Sequence, residues 1–301
     1  MNLFFDKSGG PLFRPPSEAT SFILRVTTGC SHNKCTYCHS YHSVKFGIKS
    51  MEEVTAQINA AKPYAPYIRR IFLADGNALV MDTDKMLAIL AVIRDVFPGL
   101  QRVSCYAAPQ DILRKTPAQL ASLKDAGLKM VYYGLESGDD TILNRICKGV
   151  SAAEAIEAGQ KVVTSGIKLS VMVIAGVGGK EHWENHANNT ALAVNAIKPN
   201  MLSALTLMLN QGSTMTNEYE AGKFFPLSPF EVMNEMHQFI SAINLPPQAG
   251  CIFRSNHVSN YISLAATLPK DKEKLLDDID AARIKLSRYT NWDPYNDTMY
   301  F

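Results

Sequence analysis

The sequence predicts an α/β fold, a partial (β/α)6 TIM-like barrel with a C-terminal extension. From Ser21 onward, short β-rich runs alternate with longer segments whose apolar residues recur at helical spacing, which is typical of βα units around a parallel sheet. The chain has 301 residues, of which 47% are apolar and 19% charged, so it can bury a core of that size. After Gly212 the alternation stops. We therefore expect a single domain over residues 1–301, with a barrel core over about 20–215 and an extension over about 216–301.

Boundary signals support the individual elements. Ser50 followed by Glu53 is a capping-box pattern, Pro117 stands where a first helical turn tolerates proline, and Gly127 and Gly166 stand at C-cap positions. We predict strands at 22–26, 70–73, 102–107, 130–135, 169–175 and 201–209. We predict helices at 51–62, 83–96, 117–126, near 139–146, 152–165 and 183–197.

The extension has a different pattern. It begins with a predicted helix at 229–243, which a Pro-Pro break at 246–247 separates from a polar segment around 254–260. A charged helix is predicted at 270–286, and we expect the aromatic residues of 291–301 to fold back over the barrel.

Charge and hydropathy exclude some partners. The 30 basic and 28 acidic residues give a formal charge of +2, and no short window is dominated by Lys and Arg, so nucleic acid is an unlikely partner. No apolar run approaches the roughly 20 residues of a membrane span, and the start lacks the features of a signal peptide. We expect a cytoplasmic protein that does not bind membranes.

The cysteines are unevenly distributed, which favours a metal site over a disulfide framework. Three lie within nine residues, directly after the first predicted strand: Cys30, Cys35 and Cys38. The others are scattered through apolar surroundings: Cys105, Cys147 and Cys251. Of these, the lone Cys251 is expected to be packed as a small apolar residue. Three thiols are one too few for a closed structural zinc site, whereas a [4Fe–4S] cluster on three thiolates keeps one iron open for another ligand.

Two other interpretations of this loop remain. Zinc would need a fourth ligand from His32, His39 or His42, although His39 directly follows Cys38 and fits a finger spacing poorly. Alternatively, the cysteines are buried without any ligand. Under the zinc interpretation the chain would be a non-catalytic, zinc-stabilised binding module.

The segment 27–38, TTGCSHNKCTYC, resembles the cluster-binding loop of radical SAM enzymes, and the resemblance extends over about residues 20–215. The branch with heme-pathway and methylthiolating members is the most similar. The commonest family pattern has three residues between the first two cysteines, and this chain has four. The resemblance implies that Cys30, Cys35 and Cys38 hold a [4Fe–4S] cluster whose fourth iron is chelated by S-adenosylmethionine (SAM), and that Tyr37 lies against the SAM adenine.

Two further segments at predicted strand ends match family motifs, and such ends form the active-site face of a βα barrel. Asp75, Gly76 and Asn77 occupy the place of a motif that contacts the amino group of the SAM methionine, although a simple Asp-Gly turn would look the same. At the end of the fifth strand, the resemblance places Val173 and Gly176 beside the adenine. A glycine-rich turn after a strand is a weak signal by itself.

The segment 134–138, GLESG, follows the fourth strand and has a form common in the same branch. The resemblance assigns Glu136, with neighbouring Ser137, to SAM, where a carboxylate accepts hydrogen bonds from ribose hydroxyls or from an ammonium. It also places Arg145 at the SAM carboxylate. The alternative for Arg145 is a salt-bridged surface residue.

The resemblance implies an enzyme that cleaves SAM reductively to a 5′-deoxyadenosyl radical, which abstracts hydrogen from an unidentified substrate. A small molecule is the favoured substrate class, and tRNA or protein is the alternative. An electron donor such as flavodoxin or ferredoxin is implied.

The polar segment of the extension is the candidate substrate contact, because its hydrogen-bonding groups are expensive to bury without partners. The candidate residues are Arg254, Asn256, His257 and Asn260. The alternative is an ordered loop that satisfies its own backbone and caps the barrel.

Overall fold

A computed structural model describes residues 4–6, 10–289 and 292–295. The strands are β1 (Phe22–Arg25), β2 (Thr27–Thr28), β3 (Gly47–Ile48), β4 (Arg70–Ala74), β5 (Arg102–Ala107), β6 (Leu128–Glu136), β7 (Lys168–Ala175), β8 (Met201–Thr206), β9 (Cys251–Arg254) and β10 (Ala265–Leu268). The helices are α1 (Met51–Ala61), α2 (Thr83–Val96), α3 (Pro109–Arg114), α4 (Pro117–Asp125), α5 (Asp140–Arg145), α6 (Ala152–Thr164), α7 (Gly179–Ile197), α8 (Thr214–Glu220), α9 (Pro229–Ala242) and α10 (Lys272–Leu286).

The sheet is mostly parallel, as the alternation of strands and helices predicts. Its strand order is β1-β4-β5-β6-β7-β8-β9-β10, and β2 and β3 form a separate short antiparallel pair. The pairs β1/β4, β4/β5, β5/β6, β7/β8 and β8/β9 are parallel, while β9/β10 is antiparallel. Consecutive parallel strands are connected through helices, which is the connection that parallel pairing requires.

The chain divides into two compact units. The first contains residues up to 33, 40–133 and 161–169. All four residues of β1 and the last four of β4 are buried, because strands of a parallel sheet are covered on both faces and therefore consist of continuous apolar runs. Helix α1 begins with the predicted capping box: the Glu53 N–H donates to the Ser50 hydroxyl at 3.2 Å, and the Ser50 N–H donates to the Glu53 carboxylate at 2.8 Å.

The second unit contains residues 34–39, 134–160 and those from 170 onward. Helix α9 packs against both α7 and α10. A buried apolar cluster joins α5 to the chain around α8, and its members include Ile142, Ile146, Met215 and Phe224. The division into units does not follow the expected border between core and extension near residue 215, and the single-domain organisation stays a prediction.

Most predicted elements are confirmed to within about two residues, and the exceptions have physical reasons. The strand predicted over 201–209 ends at Thr206, and the helix predicted from 183 begins at Gly179. Helices α3 and α8 were not predicted; with six and seven residues, each shows a helical period only weakly. The extension also adds strands to the sheet, since β9 pairs with β8 and β10 pairs with β9.

The expectation that 291–301 fold back concerns a segment of which only 292–295 are described. Within these four residues, the Tyr295 hydroxyl donates to Glu220 at 2.9 Å, and its ring meets the Tyr219 ring edge-on at 5.6 Å. No helix in the described part of the chain is long and apolar enough to span a bilayer.

Candidate functional site

The first part of the cysteine loop is held by the carboxylate of Asp75, just after β4. Asp75 accepts hydrogen bonds from the Gly29 N–H at 3.3 Å and from Arg25 Nε at 3.2 Å, and its own N–H donates to Thr27 Oγ1 at 2.9 Å. The Arg25 and Asp75 side chains are fully buried. Burial raises the pKa of Asp75 to about 6, and the Arg25 guanidinium opposes that rise. The ion pair therefore fixes the backbone immediately before Cys30.

Gly76 brings the turn after β4 into direct contact with the loop. Its N–H donates to the Gly29 carbonyl at 3.1 Å. A Cβ at Gly76 would lie 3.1 Å from the Cys30 Cβ and 2.8 Å from the Tyr41 ring, so any larger residue would push the cysteine away.

Asn77 is buried and its amide group is fully engaged. Its Nδ2 donates to Ser31 Oγ at 2.8 Å and to Asp111 Oδ2 at 2.5 Å, and its Oδ1 accepts from the Ala108 N–H at 3.1 Å. The side chains of Asp75 and Asn77 thus hold the loop in place through these hydrogen bonds. The contact of this turn with the SAM amino group stays a prediction, and it would fall to backbone carbonyls.

The second part of the loop lies in the second unit and is held by backbone contacts of Thr36. The Thr36 N–H donates to the Ile146 carbonyl at the end of α5, at 3.1 Å. The Met215 N–H, in the first turn of α8, donates to the Thr36 carbonyl at 3.0 Å. The residues between Cys35 and Cys38 are therefore fixed by two helix ends.

The three loop thiols differ from two of the other cysteines in accessibility. All three are partly exposed, whereas Cys105 and Cys251 are buried; Cys147, outside the loop, is exposed. Burial raises the pKa of Cys105 and of Cys251 to about 12, which disfavours the thiolate that metals bind. Among the described residues, no three His, Cys, Asp or Glu side chains are already grouped as a metal site, so the assignment of the loop thiols as ligands rests on their spacing and donor chemistry. Partly exposed sulfur donors fit an iron–sulfur cluster.

Glu136 ends β6 in a left-handed backbone conformation, with a φ of 63°. Its buried carboxylate forms an ion pair with Lys148 at 2.9 Å and accepts a hydrogen bond from the Tyr37 hydroxyl. Burial raises the pKa of Tyr37, and the nearby Glu136 carboxylate raises it further. A Cβ at Gly134 would overlap the Glu136 carboxylate, so a larger residue here would displace that carboxylate from its present position.

A second polar network joins the ends of β6 and β7. Ser137 Oγ lies 2.9 Å from His186 Nδ1, and His186 Nε2 lies 3.0 Å from the Ile174 carbonyl. The Gly176 N–H donates to Glu235 Oε1 at 2.7 Å. Sequence reasoning missed His186 and Glu235. The available signal was a carboxyl group on the apolar face of the amphipathic helix α9.

Arg145 is engaged by other residues in the structure. Its guanidinium forms an ion pair with Glu218 at 3.1 Å, donates to the Lys223 carbonyl at 2.9 Å and lies 5.0 Å from the centre of the Phe224 ring. The geometry is that of the salt-bridged alternative. Pairing of Arg145 with the SAM carboxylate stays a prediction, and it would require Arg145 to exchange partners.

The polar segment begins at Arg254, the last residue of β9, and continues through the loop before β10, and part of it caps β8. Asn260 Nδ2 donates to the Ala204 carbonyl at 3.0 Å, and Thr206 Oγ1 donates to Asn260 Oδ1 at 3.0 Å. The hydrogen bonds of Asn260 therefore fit the alternative interpretation, in which the segment is an ordered loop that caps the barrel. Arg254 and His257 are partly buried, and Asn256 is exposed. A substrate role for these four residues stays a prediction.

Comparison with known proteins gives a family and a fold. A sequence model described as the Radical SAM superfamily matches residues 24–188, more than half of the chain. The heme chaperone HemW of Bacillus subtilis (strain 168) is 24% identical over 225 residues, which cover 70% of this chain and 56% of that protein. A biotin synthase of Rippkaea orientalis (strain PCC 8801 / RF-1) is 26% identical over 227 residues, covering 72% of this chain and 57% of that enzyme. The chain thus matches little more than half the length of these curated relatives.

Solved structures show the same fold. Coproporphyrinogen III oxidase (HemN) from Escherichia coli, a radical SAM enzyme, superposes with a TM-score of 0.54 at 13% identity, covering 76% of this chain and 52% of that one. Methylornithine synthase (PylB) superposes with a TM-score of 0.52 at 13% identity, covering 88% and 68%. The predicted fold class, a partial TIM-like α/β fold, is confirmed by this likeness and by the mostly parallel sheet.

Proposed function

The chain belongs to the radical SAM superfamily, a family of enzymes that use a [4Fe–4S] cluster and SAM, and from that premise we propose that it cleaves SAM reductively and abstracts hydrogen from a small-molecule substrate. One observation carries the assignment of the SAM site. Tyr37, from the cysteine loop, and Glu136, from the end of β6, match separate family motifs and are hydrogen-bonded to each other. Two contacts expected at one ligand thus lie side by side.

The chain's own residues would hold the two cofactors. Cys30, Cys35 and Cys38 would supply three thiolate ligands, one fewer than the cluster has irons, so that SAM could bind the remaining iron. When bound, the reduced cluster supplies the electron that splits SAM into methionine and the 5′-deoxyadenosyl radical. Glu136 is oriented by Lys148 and can accept hydrogen bonds from the ribose hydroxyls or the amino group of SAM.

Three features support a small-molecule substrate. The formal charge of +2 and the scattered basic residues give no surface suited to a polyanion. Biotin synthase, coproporphyrinogen III oxidase and methylornithine synthase have names that describe small-molecule chemistry. We further propose that the protein is cytoplasmic and receives its electron from flavodoxin or ferredoxin, since the family requires a reductant.

The proposal is tested by the product of SAM cleavage. The anaerobically reconstituted, dithionite-reduced protein is expected to form 5′-deoxyadenosine slowly without substrate, detected by chromatography with mass spectrometry. A triple Ala replacement of Cys30, Cys35 and Cys38 is the control and should form none. Formation of S-adenosylhomocysteine or methylthioadenosine in place of 5′-deoxyadenosine would contradict the proposed reaction.

Glu136→Ala is expected to weaken SAM binding by roughly tenfold or more, because a hydrogen bond to a charged group contributes about 1.5–3 kcal/mol. The visible spectrum of the cluster should be unchanged, since this residue is not a cluster ligand. The SAM dissociation constant of the reconstituted protein is the measurement. Glu157→Ala, at an exposed position of α6, is the matched control. Equal SAM affinity in Glu136→Ala and Glu157→Ala would refute the assignment.

Arg254→Ala and His257→Ala are expected to fold, keep the cluster and form 5′-deoxyadenosine without substrate, yet fail to turn over the true substrate. The reason is that neither side chain contacts the cysteine loop in the proposed role. Cluster content, uncoupled SAM cleavage and substrate turnover are measured on the same preparations. Loss of solubility or of the cluster in both variants would show that the segment is structural.

A further inference from the structure

Glu235 is a buried carboxyl group in the middle of α9, and its side chain is only 3% exposed. The surrounding residues of the helix face are apolar, among them Val232, Met236 and Phe239. Oε1 accepts the Gly176 N–H at 2.7 Å, and Oε2 has no hydrogen-bond partner in the described part of the chain. Because burial of a carboxyl group is costly, its retention at this position calls for a role that an apolar residue could not fill.

Gly176 needs this external acceptor because it lies just beyond the end of β7. Its φ of 83° is in the left-handed region, where the chain turns out of the sheet. Glu235 therefore supplies the partner that a neighbouring strand would otherwise provide.

His186, on α7, holds the adjoining backbone. Its Nε2–H donates to the Ile174 carbonyl at 3.0 Å, which leaves Nδ1 to accept from the Ser137 hydroxyl at 2.9 Å. His186 Nε2 also lies 3.7 Å from Glu235 Oε1. The two side chains thus connect Ser137, which follows Glu136, with the backbone at both Ile174 and Gly176.

Both groups are neutral near pH 7, so the network acts through hydrogen bonds. Burial raises the pKa of Glu235 to about 8 and the Gly176 hydrogen bond opposes that rise, while burial lowers the pKa of His186 to about 4. The hydrogen bond to the Ile174 carbonyl and the nearby Asp139 carboxylate favour the charged form of His186, but burial outweighs both effects on its pKa. The reach of each side chain, and not its charge, is what the contacts require.

We propose that Glu235 and His186 are positioning residues for SAM: Glu235 fixes the backbone at Gly176, and His186 fixes Ile174 and the Ser137 hydroxyl. The inference rests on the proposed function, because Ser137 and Gly176 were predicted as SAM contacts from family motifs. Neither Glu235 nor His186 touches the reacting atoms in this role.

Two substitutions of Glu235 distinguish the effect of side-chain length from the effect of the acidic group. Glu235→Gln keeps the acceptor at the same distance and removes the acid, whereas Glu235→Asp keeps the acid and withdraws it by one carbon, about 1.5 Å. We expect the Gln variant to bind SAM as the wild type does. The Asp variant should bind SAM roughly tenfold more weakly and exchange the Gly176 amide hydrogen at least about tenfold faster, because a buried donor is left without a partner.

The controls distinguish positioning from general loss of stability. Ile240→Ala, at a buried position of the same helix, should lower the unfolding midpoint without selectively speeding exchange at Gly176. His186→Phe keeps a ring but loses both hydrogen bonds, so it should weaken SAM binding independently of Glu235. SAM affinity is measured on reconstituted protein, and amide exchange by mass spectrometry or NMR.

The outcomes are separable from those of the proposed function. If the wild type binds no SAM and forms no 5′-deoxyadenosine, the proposed function fails, and with it the inference. If the wild type is active but Glu235→Gln loses SAM affinity as Glu235→Asp does, SAM binding depends on the acidic group of Glu235, and the positioning role is overturned. Unchanged SAM affinity and Gly176 exchange in both Glu235→Asp and His186→Phe would also overturn it. If Glu235→Asp fails to fold, the SAM affinities of Glu235→Gln and His186→Phe still decide whether the positioning role holds.

Discussion

Replacing Cys35 by alanine is expected to reduce bound iron from about four atoms per chain to less than about one, because a [4Fe–4S] cluster with two protein thiolates is no longer retained. Cys30→Ala and Cys38→Ala should have the same effect. Iron and sulfide are assayed after anaerobic reconstitution, together with the broad visible absorbance of the cluster. The brown colour of the wild type would also separate an iron–sulfur centre from zinc bound adventitiously to the same thiols.

The matched controls are cysteines that lie outside the loop. Cys147→Ala removes an exposed thiol and should keep the full iron content. Cys251→Ala removes a buried thiol and should also keep the iron, since burial disfavours its thiolate. Circular dichroism of each variant shows whether the chain is still folded. Full iron retention after replacement of Cys30, Cys35 and Cys38 together would contradict their assignment as ligands.

The fold was predictable because local signals and the apolar pattern agree along most of the chain. The capping box at Ser50 and the C-cap glycines at 127 and 166 mark boundaries that the structure reproduces. Strand β9 was missed because its four residues, CIFR, are too short and too mixed in polarity to show a strand period.

The site was predictable only where its residues are contiguous. The cysteine loop and the strand-end motifs are short segments, so their residues could be named from the sequence. The partners of those residues come from distant positions: Asp75 pairs with Arg25, and Arg145 pairs with Glu218. Spacing along the chain says nothing about such pairs. The same holds for Glu235, whose acceptor role depends on a strand end 59 residues away in sequence.

The membership of the chain in an enzyme family decides between the two original classes. The radical SAM superfamily is a family of enzymes, so membership in it argues against a non-catalytic zinc module. The family model matches residues 24–188, which include all three loop cysteines. Gly29, Ser31 and Thr36 of the loop each form a hydrogen bond with a residue outside it.

Between pH 6.5 and 8, the wild type is expected to lose roughly 1–2 kcal/mol of unfolding free energy relative to Glu235→Gln. Burial raises the pKa of folded Glu235 to about 8 from its usual 4.5, with only partial opposition from the Gly176 hydrogen bond. In this window the folded protein keeps a proton that the unfolded chain has released, which costs roughly 1.4 kcal/mol per pH unit. The stability due to the protonated acid is fully present below about pH 4.5 and is lost as the pH rises through 8.

The window is chosen so that other groups do not mask the effect. Burial lowers the pKa of His186 to about 4 from its usual 6.5, so its contribution is present above pH 6.5 and is lost only as the pH falls through 4. The raised pKa of Asp75, about 6, also lies below the window.

Urea midpoints at pH 6.5 and 8, converted with the measured slope, give the comparison. Glu231→Gln is the control on the same helix: burial raises the pKa of Glu231, but the Ser228 hydrogen bonds and Lys180 outweigh burial and lower it, so Glu231 titrates below the window. Glu231→Gln should therefore retain the pH dependence of the wild type, while Glu235→Gln should flatten it. If the unfolding free energy of Glu235→Gln changed with pH as that of the wild type does, Glu235 would already be ionised in the folded protein at pH 6.5. The contact with Gly176 would then be a charged hydrogen bond, and the neutral network at the end of β7 would be the wrong description.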